Sequence, residues 1–188
     1  MKALTAGDTE VANATKLLGK SMRYVLENTG TRETTLQKEL ELLEIFLQIQ
    51  KMRFGDRIGF KIEMEEGLVP SEYRMLPLLL QPVAENAVVH GLEGIESDGM
   101  VTIRVSATDT VLKIDISDNG GGIDAEELKA LNERLGSYKE EERTSSIGLY
   151  NINRRIKLSY GEDYGVFIHS TPGEGTTVSV AIPPQKQL

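Results

Sequence analysis

The segment Ile116–Ile123 (ISDNGGGI) constrains this chain most, because it places a carboxylate and a run of glycines directly after an alternating apolar stretch. The alternation predicts a β-strand that ends at Asp118. Glycine has no Cβ, so it permits positive φ and close approach, and a run of glycines costs more chain entropy than an ordinary turn requires. The pattern indicates backbone that lies close to a ligand; a plain glycine-rich turn is the alternative.

Residues 1–55 are predicted to form an α-helical hairpin. Apolar residues recur at helical spacing from Asp8 to Glu27 and again from Leu36 to Met52. Gly30 and Gly55 supply the two helix ends, and the short connection favours an antiparallel pair. The wide apolar stripe of this pair packs either on a partner chain or on the domain that follows, and both arrangements remain open.

Residues 56–188 are predicted to form an α/β domain. Alternating apolar residues predict five strands, at Ile58–Met64, Met100–Ala107, Val111–Ser117, Tyr164–Ser170 and Thr176–Ile182. Helices are expected within Pro77–Leu92, starting near Pro82 because proline is tolerated in a first turn, and over Gly148–Ser159. The charged stretch 123–147 is expected to be a lid with a helical first half. This order predicts a two-layer sandwich: a mostly antiparallel mixed sheet with helices on one face.

Composition excludes several functions. The formal net charge is -8, so the chain has no electrostatic footprint for nucleic acid or for an anionic membrane surface. It has no cysteine, which excludes disulfides, thiolate metal sites and a cysteine nucleophile. No apolar run reaches the roughly 18 residues of a membrane span. A cytoplasmic location is therefore expected.

Four short motifs together resemble the ATP-binding boxes of the Bergerat (GHKL) fold, which sensor histidine kinases, gyrase-type topoisomerases, MutL proteins and heat-shock-ninety chaperones share. In chain order they are Glu85-Asn86, Asp118-Asn119-Gly120-Gly121-Gly122, Gly148-Leu149-Tyr150-Asn151 and Gly173-Glu174-Gly175-Thr176. Further motifs are similar to the LytS-type subgroup of histidine kinases. These are Leu36-x-x-Glu39-Leu40, Ile49-Gln50-x-x-Arg53-Phe54-Gly55-Asp56-Arg57, Gln81-Pro82-Val83-x-Glu85-Asn86 and Arg155-Ile156 before Tyr160-Gly161.

The resemblance implies a site for ATP and Mg²⁺. It implies that Asp118 accepts a hydrogen bond from the adenine amine and that Asn86 supplies an oxygen to Mg²⁺, with Glu85 beside it orienting a water or acting as a base. The remaining nucleotide-binding residues that it implies are Gly120, Gly122, Ile147, Gly148, Leu149, Asn151, Gly175 and Thr176. The N-terminus of the Gly148 helix would offer N–H groups to phosphates. His90 and His169 are expected to be structural, and Arg154, Arg155 and Lys157 are expected on a solvated face.

The resemblance also implies the C-terminal core of a two-component kinase. In this subgroup the phosphoaccepting histidine lies in an N-P-H-F type motif upstream, which is absent from these 188 residues. The expected partners are a response regulator and a second copy of the full-length kinase, with membrane attachment only through preceding segments. Two alternatives remain: an anti-sigma-type serine kinase or other Bergerat-fold ATPase, and a non-catalytic nucleotide-sensing dimerisation module.

Overall fold

The computed structural model describes residues 6–28, 30–92, 94–136 and 147–186. Its helices are α1 (Ala6–Asn28), α2 (Leu36–Phe54), α3 (Gln81–Asn86), α4 (Ala125–Gly136) and α5 (Ile147–Tyr160). Its strands are β1 (Thr34–Thr35), β2 (Ile58–Met64), β3 (Tyr73–Met75), β4 (Gly99–Ala107), β5 (Leu112–Asp118), β6 (Gly165–Thr171), β7 (Gly175–Ile182) and β8 (Gln185–Lys186). Short 3-10 turns occupy Gly55–Arg57 and Pro70–Glu72, and a π-helical turn, Ala87–Gly91, follows α3.

The helical hairpin forms as expected. The Thr35 hydroxyl accepts a hydrogen bond from the Lys38 N–H and so caps α2, while Gly55 ends that helix with a φ of 65°. The start of α1 lies beside the end of α2, which makes the pair antiparallel.

The apolar stripe of the hairpin is divided between two environments. Four of the five buried leucines of α2 belong to the same core as the sheet; they are Leu36, Leu40, Leu43 and Leu47. The apolar side chains of α1 are largely exposed, as at Leu18 (56%) and Leu26 (73%). Helix α2 therefore packs on the domain, whereas the apolar residues of α1 stay at the surface. The domain boundary between residues 55 and 56 remains a prediction.

The main sheet has the strand order β2-β4-β5-β7-β6, with β2 parallel to β4 and the other pairs antiparallel. Leu112, Ile114 and Ile116 of β5 are buried, whereas Lys113 between them is exposed. One face of the sheet carries α3, α4 and α5. These observations confirm the mostly antiparallel two-layer α/β architecture. In the centre of the sheet Asp118 pairs with Val101 on one side and Thr176 on the other.

A second, small sheet was not predicted. Its strand order is β1-β3-β8, and it pairs Thr34 with Met75 and Tyr73 with Lys186. Strands this short contain no alternation for sequence analysis to detect. The sheet joins the hairpin connection to a segment beyond Pro183-Pro184, where sequence analysis expected no further element.

Asn153 of α5 links the helical layer to the sheet. Its side chain is 4% exposed; its Nδ2 donates to the Leu135 carbonyl at 2.7 Å, and its Oδ1 accepts from the Val166 N–H at 2.8 Å. This one amide therefore attaches the end of α4 and the start of β6 to α5. The expected lid is described over Ile123–Gly136, where its helical first half is α4; residues 137–146 lie outside the described ranges.

We expect Asn153→Ala to lower the free energy of unfolding by about 2–4 kcal/mol, because it leaves a buried N–H and a buried carbonyl unpaired. Asn132→Ala is the matched control: its Nδ2 lies 3.5 Å from the Ile168 carbonyl, at the limit of a hydrogen bond, so the loss should stay below about 1 kcal/mol. Urea unfolding measures both. Equal losses in the two variants would contradict the assigned role of Asn153.

Candidate functional site

Asp118 ends the central strand β5 as a buried carboxylate. Its side chain is 8% exposed, and its Oδ1 accepts hydrogen bonds from the N–H groups of Gly120 at 2.9 Å and Thr176 at 3.3 Å. Burial raises the pKa of Asp118 above its ordinary value, and these N–H groups oppose that rise only in part. A carboxylate can accept about four hydrogen bonds, so Asp118 retains acceptor capacity for a ligand.

Glycines surround this carboxylate because a Cβ would not fit. A Cβ on Gly91 would lie 2.3 Å from the Asp118 Cγ, and one on Gly120 would lie 1.7 Å from the Gly91 carbonyl oxygen. The glycine run therefore approaches neighbouring backbone as closely as sequence analysis expected it to approach a ligand. At Gly122, where φ is 70°, a Cβ would lie 2.1 Å from the Thr171 carbonyl oxygen, so this glycine lies against the β6–β7 turn.

Asn86, the last residue of α3, lies across a cavity from this strand end. Its Nδ2 donates to the Pro82 carbonyl at 2.8 Å, which directs the amide and leaves Oδ1 as the acceptor for other groups. The helix begins at Gln81, as the position of Pro82 predicted. Glu85 is exposed, and it accepts a hydrogen bond from the Gln81 Nε2.

The π-helical turn after α3 was not predicted. The Leu92 N–H donates to the Ala87 carbonyl at 3.1 Å, five residues back, which widens the helix at its end. Such turns often occur at functional sites. Here His90 is exposed and lines the cavity, so the expectation that it is merely structural does not describe its position.

The cavity has a volume of about 310 Å³, at the lower end of the range of small-molecule sites. Its apolar lining comes from Ile123, Leu131, Leu149, Ile168 and Val178. Its polar lining groups are Asn86, His90, Glu127, Arg134 and Thr176. Thr176 lines the cavity, and its N–H donates a hydrogen bond to Asp118, so the buried carboxylate lies directly behind Thr176.

Helix α4 forms one side of the cavity. Asp124 starts it by accepting hydrogen bonds from the N–H groups of Glu126 and Glu127. The Ile123 N–H donates to the Ser170 hydroxyl at 2.8 Å, which fixes the segment before α4 to β6. Arg134, which sequence analysis did not identify, extends from α4 to the cavity and donates its Nε to the Ala130 carbonyl.

The four residues predicted from the Gly148 helix differ in where they lie relative to the cavity. Leu149 lines the cavity. Gly148 precedes it and faces Pro82: a Cβ built on Gly148 would lie 3.8 Å from the Pro82 Cβ. Asn151 is exposed and is absent from the described lining residues. Ile147 is the first residue of α5, and its side chain lies outside the described part of the structure.

Two of the cations that were expected on a solvated face, Arg155 and Lys157, also have structural partners. Arg155 donates to the carbonyls of Pro77 and Leu78, so it fixes the segment that leads into α3. Lys157 forms a 3.1 Å ion pair with Glu162. Only a three-dimensional structure reveals the first contact, because Arg155 and Pro77 lie far apart in sequence.

No three histidine, aspartate or glutamate side chains among the described residues converge as a metal site. Asn86, Glu127 and Thr176 line the cavity and carry side-chain oxygens, the ligand type that hard divalent ions take. Mg²⁺ is commonly bound through few protein groups and several waters.

Comparison with known proteins identifies the fold and the family. The model of the "Histidine kinase-, DNA gyrase B-, and HSP90-like ATPase" family matches residues 73–186. The chain belongs to this family. A second model, "Histidine kinase", matches residues 1–58.

Two relatives of this chain are sensor proteins. "Sensor protein LytS" of Oceanobacillus iheyensis is 34% identical over 166 residues, which cover 88% of this chain and 28% of that protein. "Sensor histidine kinase YesM" of Bacillus subtilis is 30% identical over 184 residues, which cover 94% of this chain and 30% of that protein. The chain thus spans under a third of the length of these relatives. The likeness supports the resemblance to LytS-type kinases.

Solved structures with this ATPase fold include the nucleotide-free catalytic domain of histidine kinase ThkA. It has a TM-score of 0.59 at 16% identity and covers 81% of this chain and 96% of that one. A ThkA crystal structure in complex with response regulator TrrA has a TM-score of 0.58 at 14% identity, covering 97% of this chain and 52% of that one. At these identities the likeness is one of fold.

We expect the free energy of unfolding of the Asp118→Asn variant, relative to that of the wild-type chain, to increase as pH rises from about 4 to 7. The raised pKa means that folded Asp118 binds its proton more tightly than the unfolded chain does. Its contribution to stability is therefore full below the unfolded pKa and is lost as pH rises through the folded pKa. Asparagine does not titrate, so it avoids this loss.

Urea unfolding at several pH values measures the difference between variant and wild type. Asp115→Asn is the matched control on the same strand, since Asp115 is paired with Lys113 and Ser179. A difference for Asp118→Asn that stays constant or shrinks toward pH 7 would contradict the prediction.

Proposed function

We propose that this chain is the ATP-binding catalytic core of a two-component sensor histidine kinase. It transfers the γ-phosphoryl group of ATP to a histidine that lies upstream in the longer protein. The observation that carries the proposal is one cavity that Asn86 and Thr176 line, with the buried carboxylate of Asp118 directly behind Thr176. Family membership and the sensor kinases among the relatives support it.

Asp118 selects adenine in this proposal. With Oδ1 occupied by two backbone donors, Oδ2 accepts the exocyclic amine of adenine. Guanine presents a carbonyl at that place, and a carboxylate has no donor for it. Gly120, Gly122 and Gly175 let the backbone around Asp118 pack closely enough to hold this carboxylate beside the base, and Thr176 lies between the carboxylate and the cavity.

The phosphates extend toward α3 and the start of α5. Asn86 Oδ1 would hold Mg²⁺ together with phosphate oxygens and water, and the ion would neutralise phosphate charge. Ile147, Gly148 and Leu149 present the N-terminal N–H groups of α5, Asn151 lies one turn further on, and Arg134 and His90 add positive or donor groups. An acidic protein thereby binds a triphosphate through local rather than net charge.

The chain's residues contribute mainly by positioning. The acceptor imidazole nitrogen attacks in line, so a P–N bond forms as the bond from the γ-phosphorus to the bridging oxygen breaks. Glu85, exposed one residue before Asn86, is placed to orient or deprotonate the acceptor. The core thus brings the phosphoryl group and the incoming helix together.

The wider assembly is proposed from the same likeness. A response regulator is the expected recipient of the phosphoryl group, in keeping with the ThkA–TrrA complex. The exposed apolar side chains of α1 suit contact with a second copy of the full-length kinase.

We propose that the hairpin of residues 1–55 is the remnant of a dimerisation and phosphoacceptor region, residues 56–188 the catalytic domain and 123–147 its lid. We propose a cytoplasmic location for this portion, with membrane attachment only through preceding segments of the longer protein. In the described part of the chain no helix is long and apolar enough to cross a membrane.

We expect Asp118→Asn to weaken ATP binding by about 10- to 100-fold, because an amide donor would face the adenine amine. Asp115→Asn, on the opposite face of β5, should bind as wild type does. Calorimetry with ATP and with GTP measures both, and GTP should bind far more weakly to wild type. Unchanged ATP affinity in Asp118→Asn, or equal affinity for the two nucleotides, would refute the assigned adenine site.

We also expect the chain to label a separately supplied acceptor helix from γ-labelled ATP and Mg²⁺. The label should be acid-labile, as phosphohistidine is, and Asn86→Ala should slow transfer by at least about 10-fold. Asn132→Ala, which changes an asparagine of α4, is the control. An acid-stable label would favour the serine-kinase alternative, and nucleotide binding without transfer would favour the non-catalytic sensing module.

A further inference from the structure

Glu39 of α2 is a buried carboxylate that joins separate parts of the chain. Its side chain is 1% exposed. Its Oε1 accepts hydrogen bonds from the Tyr24 hydroxyl at 2.6 Å and the Leu78 N–H at 2.7 Å. Its Oε2 accepts from the N–H groups of Leu79 at 2.9 Å and Leu80 at 3.2 Å. The carboxylate therefore uses the roughly four acceptor positions that it has.

The backbone that Glu39 contacts leads directly into α3. Leu78 has a φ of 58°, a conformation that residues other than glycine seldom adopt. Arg155 contacts the same segment from the other side, donating to the carbonyls of Pro77 at 2.8 Å and Leu78 at 3.4 Å. Strained backbone persists only where its surroundings determine it. Here Glu39 supplies the acceptors, Arg155 supplies the donors, and Asn86 lies at the far end of the helix that follows.

Tyr24 connects α1 to this arrangement. Its hydroxyl lies 2.6 Å from Glu39 Oε1 and 3.3 Å from the buried Thr34 hydroxyl of the small sheet. Burial first, and then the charge of Glu39, raises the pKa of Tyr24, so it remains a protonated donor. Elsewhere α1 exposes apolar side chains, so this polar contact fixes α1 at a defined place on the domain.

We propose that Glu39 is a positioning residue that couples the placement of α1 to Asn86, and the inference rests on the proposed function. Displacing α1 withdraws the Tyr24 hydroxyl and leaves a buried carboxylate with one donor fewer. The carboxylate then shifts, and the backbone of Leu78–Leu80 shifts with it. Because α3 starts at the next residue, the Asn86 amide oxygen moves relative to the cavity. A misplacement of about 1 Å between reacting groups is enough to slow a reaction that depends on their positioning.

Tyr24→Phe in the intact chain tests the coupling, because it removes only the hydroxyl. We expect faster hydrogen exchange at the amides of Leu78–Leu80 without nucleotide. We also expect affinity for ATP with Mg²⁺ to fall by about three- to tenfold, while affinity for ADP in chelator, which depends on Asp118, stays within about twofold. A purely structural loss would lower both affinities together.

Tyr164→Phe is the matched control, since its hydroxyl donates to the Thr110 carbonyl at the distant β4–β5 turn. Glu39→Gln should reproduce the Tyr24→Phe pattern more strongly if it folds. Unchanged exchange at Leu78–Leu80, or an equal loss of both affinities, overturns the coupling. If wild type binds no nucleotide, the proposed function fails, whereas the exchange measurement still decides whether Tyr24 stabilises this backbone.

Discussion

The site depends on burying a carboxylate at the end of the central strand. Moving Asp118 out of water disfavours its charged form, and two backbone N–H groups offset only part of that cost. The space for it exists because Gly91 and Gly120 have no side chains. A buried carboxylate with unused acceptor positions costs stability when no ligand is bound. The same unused positions give specificity when a ligand donates a hydrogen bond to them.

Glu39 illustrates the opposite arrangement of the same chemical group. It is more buried than Asp118, yet four donors surround it, so it needs no ligand. One carboxylate thus supports the backbone, and the other remains available for recognition. The difference lies in the number of donors that the fold supplies, which burial alone does not reveal.

Sequence periodicity predicted the main strands, the start of α3 near Pro82 and the helical first half of the expected lid, because each depends on local pattern. The small sheet was missed because β1 and β8 have two residues each. The π-helical turn and the contact of Arg155 with Pro77 depend on tertiary packing. The motifs included three of the residues that line the cavity, Asn86, Leu149 and Thr176, whereas Arg134 and the cavity position of His90 required the arrangement of α3 and α4 around the cavity.

The packing of α2 bears on how a signal would reach the cavity. Leu40, Leu43 and Leu47 belong to the core of the domain. Separating α2 from the sheet would expose their apolar surface to water, and the free-energy cost of that exposure is roughly 25 cal/mol per Å². No described residue of helix α1 belongs to this core, and α1 exposes Leu18 and Leu26. Movement is therefore less costly at the α1–α2 interface than between α2 and the sheet. A signal that arrives along α1 would act inside the hairpin, where Tyr24 meets Glu39, and not at the junction near residue 55.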